Sequence, residues 1–132
     1  MTTHATGAFT IKMTPQSWNE SDQTLGRFLL DKQYSGDLEA TSEGQMLSAG
    51  TAEKGSAGYV AIEKVTGKLQ GRSGTFVLQH TGLMNRGIPE LTIIIVPDSG
   101  TGELTGLGGT MTLGNADGKK TYDFAYSLAT IQ

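Results

Sequence analysis

The chain has 132 residues, with 10 basic and 13 acidic side chains and a formal net charge of −3 at pH 7. This length fits one domain, residues 1–132, with a single core, and the lack of a basic excess argues against a nucleic-acid partner. The sequence has no cysteine, which excludes disulfides and cysteine nucleophiles. Its longest apolar run, residues 93–96, is too short to cross a bilayer, and residues 1–10 lack the basic and apolar regions of a signal peptide. We therefore expect a cytoplasmic protein with no membrane partner.

Short segments in which apolar and polar residues alternate run along the chain, and this is the pattern of half-buried strands. The sequence predicts strands at residues 9–14, 24–35, 38–49, 59–69, 73–83, 90–97, 109–113 and 121–131. Turn-forming residues separate them, and residues 100–108 are expected to hold one helical or 3₁₀ turn. The 19 glycines suit tight turns and barrel corners and disfavour long helices.

Three segments carry more particular expectations. His4 precedes the first predicted strand and is expected in a mobile tail. Residues 15–23 are predicted to form a polar loop with the only tryptophan, Trp18, which is placed to lid a barrel mouth, to cap the opposite end or to join a dimer contact. Residues 90–97 are apolar on both faces, so we expect protein to cover this strand on both sides.

The number of predicted strands and their short connections fit either a sandwich or a barrel. Closure into a barrel removes exposed sheet edges, and about eight strands enclose an interior that side chains or one small ligand can fill. We therefore predict an all-β fold, a closed antiparallel barrel of about eight strands.

Two glycine-rich segments resemble nucleotide-binding motifs and fail in detail. In residues 100–106 the third glycine comes one residue late for a dinucleotide fingerprint, and residues 114–121 have three residues between glycines where a P-loop has four. The two histidines, His4 and His80, have no metal-ligand spacing. We therefore expect no cofactor and no metal site.

One pair of polar residues stands out in the predicted hairpin of residues 59–69 and 73–83. A two-residue turn at Gln70 and Gly71 sets the register so that Glu63 and His80 become diagonal neighbours on one face. The opposite face carries lysines, which marks it as the solvated face. Glu63 and His80 are therefore predicted to point into the barrel.

The inward face of this hairpin gives the candidate site. It consists of Tyr59, Glu63, Phe76, Leu78 and His80, which we predict to contact a ligand. A buried carboxylate is costly unless it is paired, and a Glu–His pair in an apolar pocket is a candidate general acid/base pair. A hydrogen-bonded polar pair of the core has the same sequence pattern, so both interpretations stay open.

Several stretches resemble a family of small bacterial proteins described as a domain of unknown function. They are Tyr34-Ser35-Gly36-Asp37-Leu38-Glu39, Glu63-Lys64-Val65-Thr66-Gly67, residues 71–82 and residues 96–107. The resemblance implies a barrel similar to that of the allene oxide cyclases, commonly self-associated and here expected to be a homodimer, with no known activity. Residues 85–89 depart from the expected pattern, and no catalytic residue is carried over, because fold alone does not transfer function.

Three functions are compatible with these observations. The first is a binding module that holds a small, partly apolar ligand inside the barrel, oriented by Glu63 and His80. The second is an isomerase or cyclase in which Glu63 or His80 moves a proton. The third is a ligand-free structural dimer, and the volume of the interior separates it from the other two.

Overall fold

The computed structural model describes residues 2–17 and 24–128, and within them the chain forms eight strands and one 3₁₀ turn. The strands are β1 (Thr3–Gln16), β2 (Leu25–Gly36), β3 (Leu38–Gly50), β4 (Ala57–Leu69), β5 (Arg72–Asn85), β6 (Ile88–Ile95), β7 (Leu107–Ala116) and β8 (Lys119–Leu128). The 3₁₀ turn, Gly102–Leu104, lies between β6 and β7, in the segment where a single turn was predicted. In the described part of the chain, no helix has the length and hydropathy to cross a bilayer.

The strands close into an antiparallel barrel in which each strand pairs with its neighbours in sequence and β8 pairs with β1. This confirms the predicted fold. The predicted register of β4 and β5 is also confirmed, because Glu63 pairs with Leu78 and Ala61 with His80. Gln70 and Gly71 form the turn with φ of 47° and 88°, the left-handed conformations that a tight hairpin turn with the natural strand twist requires.

Side chains fill most of the barrel interior, because alternate residues of every strand point inward. The buried apolar residues that pack together are Ala5, Phe9, Tyr34, Leu38, Val65, Leu69, Phe76, Leu78, Ile93, Ile95, Leu104, Leu107, Met111, Tyr122, Phe124 and Tyr126. The rings of Phe76 and Phe124 stack in this core with centroids 5.7 Å apart. Such a core stabilises the barrel by removing apolar surface from water.

The connections make the two ends of the barrel different. At the closed end, residues 96–106 fold back over β5, where the Thr101 amide donates to the Thr75 carbonyl over 2.8 Å and the Leu104 side chain enters the core. The open end carries the turns after β3, β5 and β7, and apolar side chains such as Met84 and Leu91 remain exposed there.

Two sequence predictions need correction. His4 lies in β1 and not in a mobile tail, because β8 pairs with this segment and the His4 Nδ1 atom is 2.7 Å from Asp123 Oδ1. Strand β6 is covered on its inner face only, since Ile93 and Ile95 are buried whereas Ile94 is 41% exposed. No described element packs outside β6, so its apolar outer face stays open.

The remaining differences concern strand ends. Strand β7 extends well beyond the predicted residues 109–113, because its pairing with β8 continues through glycines that interrupt the apolar alternation. Strand β1 includes Pro15 and Gln16, which were expected in the loop. The expectations for Trp18 and for residues 129–131 concern positions outside the described residues.

Candidate functional site

The carboxylate of Glu63 lies at the centre of a buried polar cluster. Its Oε2 atom accepts from Lys32 Nζ at 2.9 Å and from His80 Nε2 at 2.7 Å, and its Oε1 atom accepts from Ser42 Oγ at 2.9 Å and from the Tyr34 hydroxyl. All five side chains are buried, and Glu63 is completely so. We call Lys32, Tyr34, Ser42, Glu63 and His80 the Glu63 cluster.

Four adjacent strands supply this cluster, because their inward positions come together in the barrel. Lys32 on β2 pairs directly with Ser42 on β3, and Gly44 of β3 pairs with Glu63 on β4. On β5, His80 pairs with Ala61 and is therefore a diagonal neighbour of Glu63. Every completely buried side-chain nitrogen or oxygen among the described residues has a hydrogen-bond partner. The cluster therefore avoids the cost of burying unpaired polar groups.

The electrostatics of the cluster keep Glu63 ionised. Burial alone raises the pKa of the carboxyl group, but hydrogen bonds from His80, Lys32 and Tyr34 and the charge of Lys32 outweigh it and lower the pKa to about 2. Burial and the Glu63 charge raise the pKa of Tyr34 above its ordinary value of 10.0. The Lys32 ammonium also lies 5.1 Å from the centre of the Phe9 ring, a further favourable contact for a buried cation.

The carboxylate fixes the orientation of the His80 ring. An ionised carboxylate only accepts hydrogen bonds, so Nε2 of His80 is the donor in the 2.7 Å contact. In the neutral imidazole the free lone pair therefore lies on Nδ1. Carboxylates orient catalytic histidines in the same way, so His80, and not Glu63, is the group of this cluster that is suited to accept a proton.

A second feature is an apolar pocket at the open end, with a volume of about 450 Å³. Its lining comes from the ends of β3 to β6, namely Met46, Ser48, Ala49, Gly50, Ala57, Gly58, Tyr59, Gly82, Leu83, Met84, Pro89, Glu90 and Leu91. We call this space the mouth pocket. Its volume is within the range of pockets that bind small molecules.

Tyr59 forms the boundary between the mouth pocket and the Glu63 cluster. Its ring lines the pocket on one side and lies 6.5 Å from the His80 ring, centre to centre. The ring packs over Gly82, where the β-carbon of any other residue would overlap it. Burial and the nearby Glu63 charge raise the pKa of Tyr59.

The structure brings together only part of the residue set predicted from the sequence. Glu63 and His80 are in direct contact, and Tyr59 lines the mouth pocket. Phe76 and Leu78 belong to the core and not to the pocket lining. In the described part of the chain, no group of three or more His, Cys, Asp or Glu side chains is arranged to hold a metal ion.

Sequence reasoning missed three members of the cluster, namely Lys32, Tyr34 and Ser42. A signal for Lys32 was present, because it lies between Leu30 and Tyr34 in a strand whose even-numbered residues point inward. A lysine at an inward position indicates a buried negative partner. Nothing in the local pattern identified Glu63 as that partner, because the contact depends on the pairing of β2 with β3 and of β3 with β4.

These observations define a small closed β-barrel with a buried ionic cluster and an apolar pocket at one end. The chain belongs to a family whose model is described as "Protein of unknown function (DUF3224)" and matches residues 5–126. It is similar to a solved structure of a bacterial member of that family, from Shewanella oneidensis MR-1 and also of unknown function. The two share 50% sequence identity and a TM-score of 0.94, over 99% of this chain and 100% of the other. No curated protein matches the chain, and the likeness to the allene oxide cyclases stays a prediction.

Proposed function

We propose that the protein is a binding module for a small, largely apolar molecule and that the ligand occupies the mouth pocket. The observation that carries the proposal is the unfilled space of about 450 Å³ at the open end, in a barrel whose interior is otherwise packed with side chains. Its lining is mostly apolar and includes two methionines, Met46 and Met84. Methionine side chains adapt to ligands of varied shape.

The methionine methyl groups provide a direct test of this proposal. In a protein labelled with ¹³C at these methyls, titration with propylbenzene is expected to shift the NMR signals of Met46 and Met84. Met111, which is in the core, and Met13, which does not line the pocket, serve as internal controls. Equal shifts at these four methionines, or no shift at any of them, would contradict the proposal.

A matched pair of variants locates the site. Met84→Lys places a charge in the mouth pocket, whereas Met13→Lys does the same at a position outside the pocket with similar exposure, 44% against 40% for Met84. We expect the first variant to weaken propylbenzene binding at least tenfold, because an ammonium group next to the ligand must lose hydration. The second is expected to leave binding unchanged.

The alternative of an isomerase or cyclase has one observation in its favour, the oriented His80 ring. A carboxylate with four hydrogen-bond donors and a pKa of about 2 is a weak base, so in this alternative Glu63 positions His80 and His80 moves the proton. Turnover of a bound ligand that is lost in His80→Gln but kept in His4→Gln would favour the enzyme over the binding module.

We also infer that the chain forms a homodimer through the outer surface of β3 to β6. Five large apolar side chains are exposed there, namely Leu47, Val60, Ile62, Leu83 and Ile94. Lys64 and Glu90 lie at opposite ends of this outer apolar face. Lys64 pairs with Val77 of β5 and Glu90 pairs with Leu83 of β5, and about 20 Å of strand separates these two positions. A second copy related by a two-fold axis would therefore set each lysine opposite the other copy's glutamate.

Native mass spectrometry at micromolar concentration tests the dimer. Ile62→Asp is expected to yield monomers, because it introduces a charge into the outer apolar face. Met13→Asp, in a residue of β1 that is also exposed but lies away from β3 to β6, is expected to keep the dimer. A monomeric parent protein would contradict the inference and would also remove the structural-dimer alternative. The cytoplasmic location stays a prediction.

A further inference from the structure

Two polar atoms, one on a residue that lines the mouth pocket and one on its inner neighbour, have no hydrogen-bond partner among the described residues. The hydroxyls of Tyr34, Tyr122 and Tyr126 are all hydrogen-bonded. The chain contains four tyrosines, and no such bond to a described residue is found for the fourth, Tyr59, or for Nδ1 of His80. Every completely buried polar side-chain atom among the described residues has a hydrogen-bond partner, so these two unpaired atoms are open to contact from outside the chain and indicate a place for a polar group of a ligand.

The two atoms have complementary hydrogen-bonding roles. The Glu63 carboxylate holds the proton of His80 on Nε2, so Nδ1 of the neutral ring is an acceptor. Burial and the Glu63 charge raise the pKa of Tyr59, so its hydroxyl keeps its proton and is a donor. A single hydroxyl group satisfies both atoms, because it donates one hydrogen bond and accepts another.

The two residues that carry these atoms are neighbours, Tyr59 in the lining of the mouth pocket and His80 further inside the barrel. Tyr59 lines the pocket, and its ring lies over Gly82 and next to the His80 ring. His80 and Gly82 are two residues apart on β5 and both point inward, so about 7 Å of strand separates His80 from the pocket lining. The Tyr59 ring is therefore the side chain past which a ligand in the pocket reaches His80.

We propose that the ligand of the mouth pocket is an apolar molecule with one terminal hydroxyl group, which donates to His80 Nδ1 and accepts from the Tyr59 hydroxyl. The Glu63 cluster acts in this recognition as a positioning group, because it fixes the ring and tautomer of His80. The inference rests on the proposed binding function and specifies the chemical class of the ligand.

Three ligands of nearly equal size test the proposal. They are 4-propylphenol, which has a hydroxyl group, 4-propylanisole, in which a methyl group replaces the donated hydrogen, and propylbenzene, which has no polar group. Calorimetric titration is expected to show that 4-propylphenol binds about three- to tenfold more tightly than 4-propylanisole. In Tyr59→Phe the affinity for 4-propylphenol is expected to fall by a similar factor, while that for propylbenzene stays unchanged.

The imidazole signals provide a readout that needs no variant. The protein has two histidines, His4 and His80, and His4→Gln assigns their ¹⁵N resonances. Addition of 4-propylphenol is expected to shift the Nδ1 resonance of His80 upfield, as a hydrogen bond to an unprotonated nitrogen does. Addition of propylbenzene is expected to leave this resonance unchanged. Binding of all three ligands with equal affinity and an unchanged Nδ1 signal would overturn this inference and leave the binding function intact. Binding of none of them would overturn both.

Discussion

The two ends of the barrel use the same eight strands and differ in what their connections do. At the closed end, residues 96–106 fold back over β5 and insert Leu104 into the core. At the open end, Leu83, Met84 and Leu91 stay exposed around the mouth pocket. The Glu63 cluster lies between the two. The comparison indicates that the closed end and the cluster supply stability, whereas the open end is available for binding.

The largest expected effect comes from the cluster. Glu63→Gln keeps the shape of the side chain and removes its charge, so the buried Lys32 ammonium loses its counter-ion. We expect a loss of about 3–5 kcal/mol in the free energy of unfolding, since this leaves a buried charge uncompensated. Urea denaturation measures it. A loss below about 1 kcal/mol would show that the cluster is not a source of stability.

A double variant distinguishes the ion pair from simple packing. In Lys32→Met with Glu63→Gln both charges are absent, and the free energy of unfolding is expected to recover most of the loss. The mouth pocket lies outside these changes, so the shifts of Met46 and Met84 with propylbenzene should be those of the parent protein. A double variant as unstable as Glu63→Gln would contradict the charge argument.

The cluster also predicts how stability depends on pH. The pKa of Glu63 is lowered from 4.5 to about 2, so its contribution is fully present above pH 4.5 and is lost as the pH falls toward 2. The difference corresponds to about 3 kcal/mol. Urea denaturation between pH 6 and pH 2 measures it against the double variant, which lacks this carboxyl. Identical pH profiles for the two proteins would refute the assignment.

A pair of leucine truncations compares the core with the open end. Leu78 is completely buried, and Leu78→Ala is expected to cost about 2–5 kcal/mol through the cavity it leaves. Leu91 is 43% exposed and lines the mouth pocket, so Leu91→Ala is expected to cost less than about 1 kcal/mol. Thermal and urea denaturation measure both. Equal losses would remove the distinction between the two regions.

Gly82→Ala tests the packing of the Tyr59 ring. The added methyl group overlaps the ring and displaces it, so we expect a loss of about 1–3 kcal/mol in unfolding free energy and a change in the NMR signals of Tyr59. Gly108→Ala is the control, because a methyl group there meets no atom within 4 Å. A Tyr59 signal that is unchanged in Gly82→Ala would show that the ring is not held over β5.

The smallest effect is expected at the surface of the closed end. His4 and Asp123 form an exposed pair 2.7 Å apart, and exposed ion pairs contribute little to stability. His4→Gln is therefore expected to change the free energy of unfolding by less than about 1 kcal/mol, as measured by urea denaturation. A larger loss would indicate that the pairing of β1 with β8 depends on this contact.

The sequence predicted the barrel and the contact of Glu63 with His80 because both follow from local rules. The turn at Gln70 and Gly71 sets the register of β4 and β5, and alternation sets the face. The contacts of Glu63 with its partners on β2 and β3 require the registers of two further strand pairs, β2 with β3 and β3 with β4, at once. The connection between β3 and β4, residues 51–56, is longer than a two-residue turn and does not fix the register of these strands. The full cluster was therefore not predicted.

The mouth pocket and the outer apolar face lie beyond what the sequence could predict. Alternation identifies which residues point inward, but it does not show where the packed interior ends or that Tyr59 lies over Gly82. Strand β6 illustrates the same limit. Its two apolar faces predicted coverage on both sides. Ile94 is nevertheless exposed, because no described element packs on the outside of the barrel at this strand.

The side chains on either side of Lys32, Asp31 and Gln33, have a consequence for the alignment of β2 in the barrel. A slip of β2 by one residue would turn Lys32 outward and bring Asp31 or Gln33 to the interior. Asp31 would then place a second carboxylate beside Glu63, and Gln33 would leave Glu63 without a counter-ion. Both misaligned arrangements are penalised electrostatically once the interior is buried, so one buried carboxylate favours the correct alignment of the strands around it.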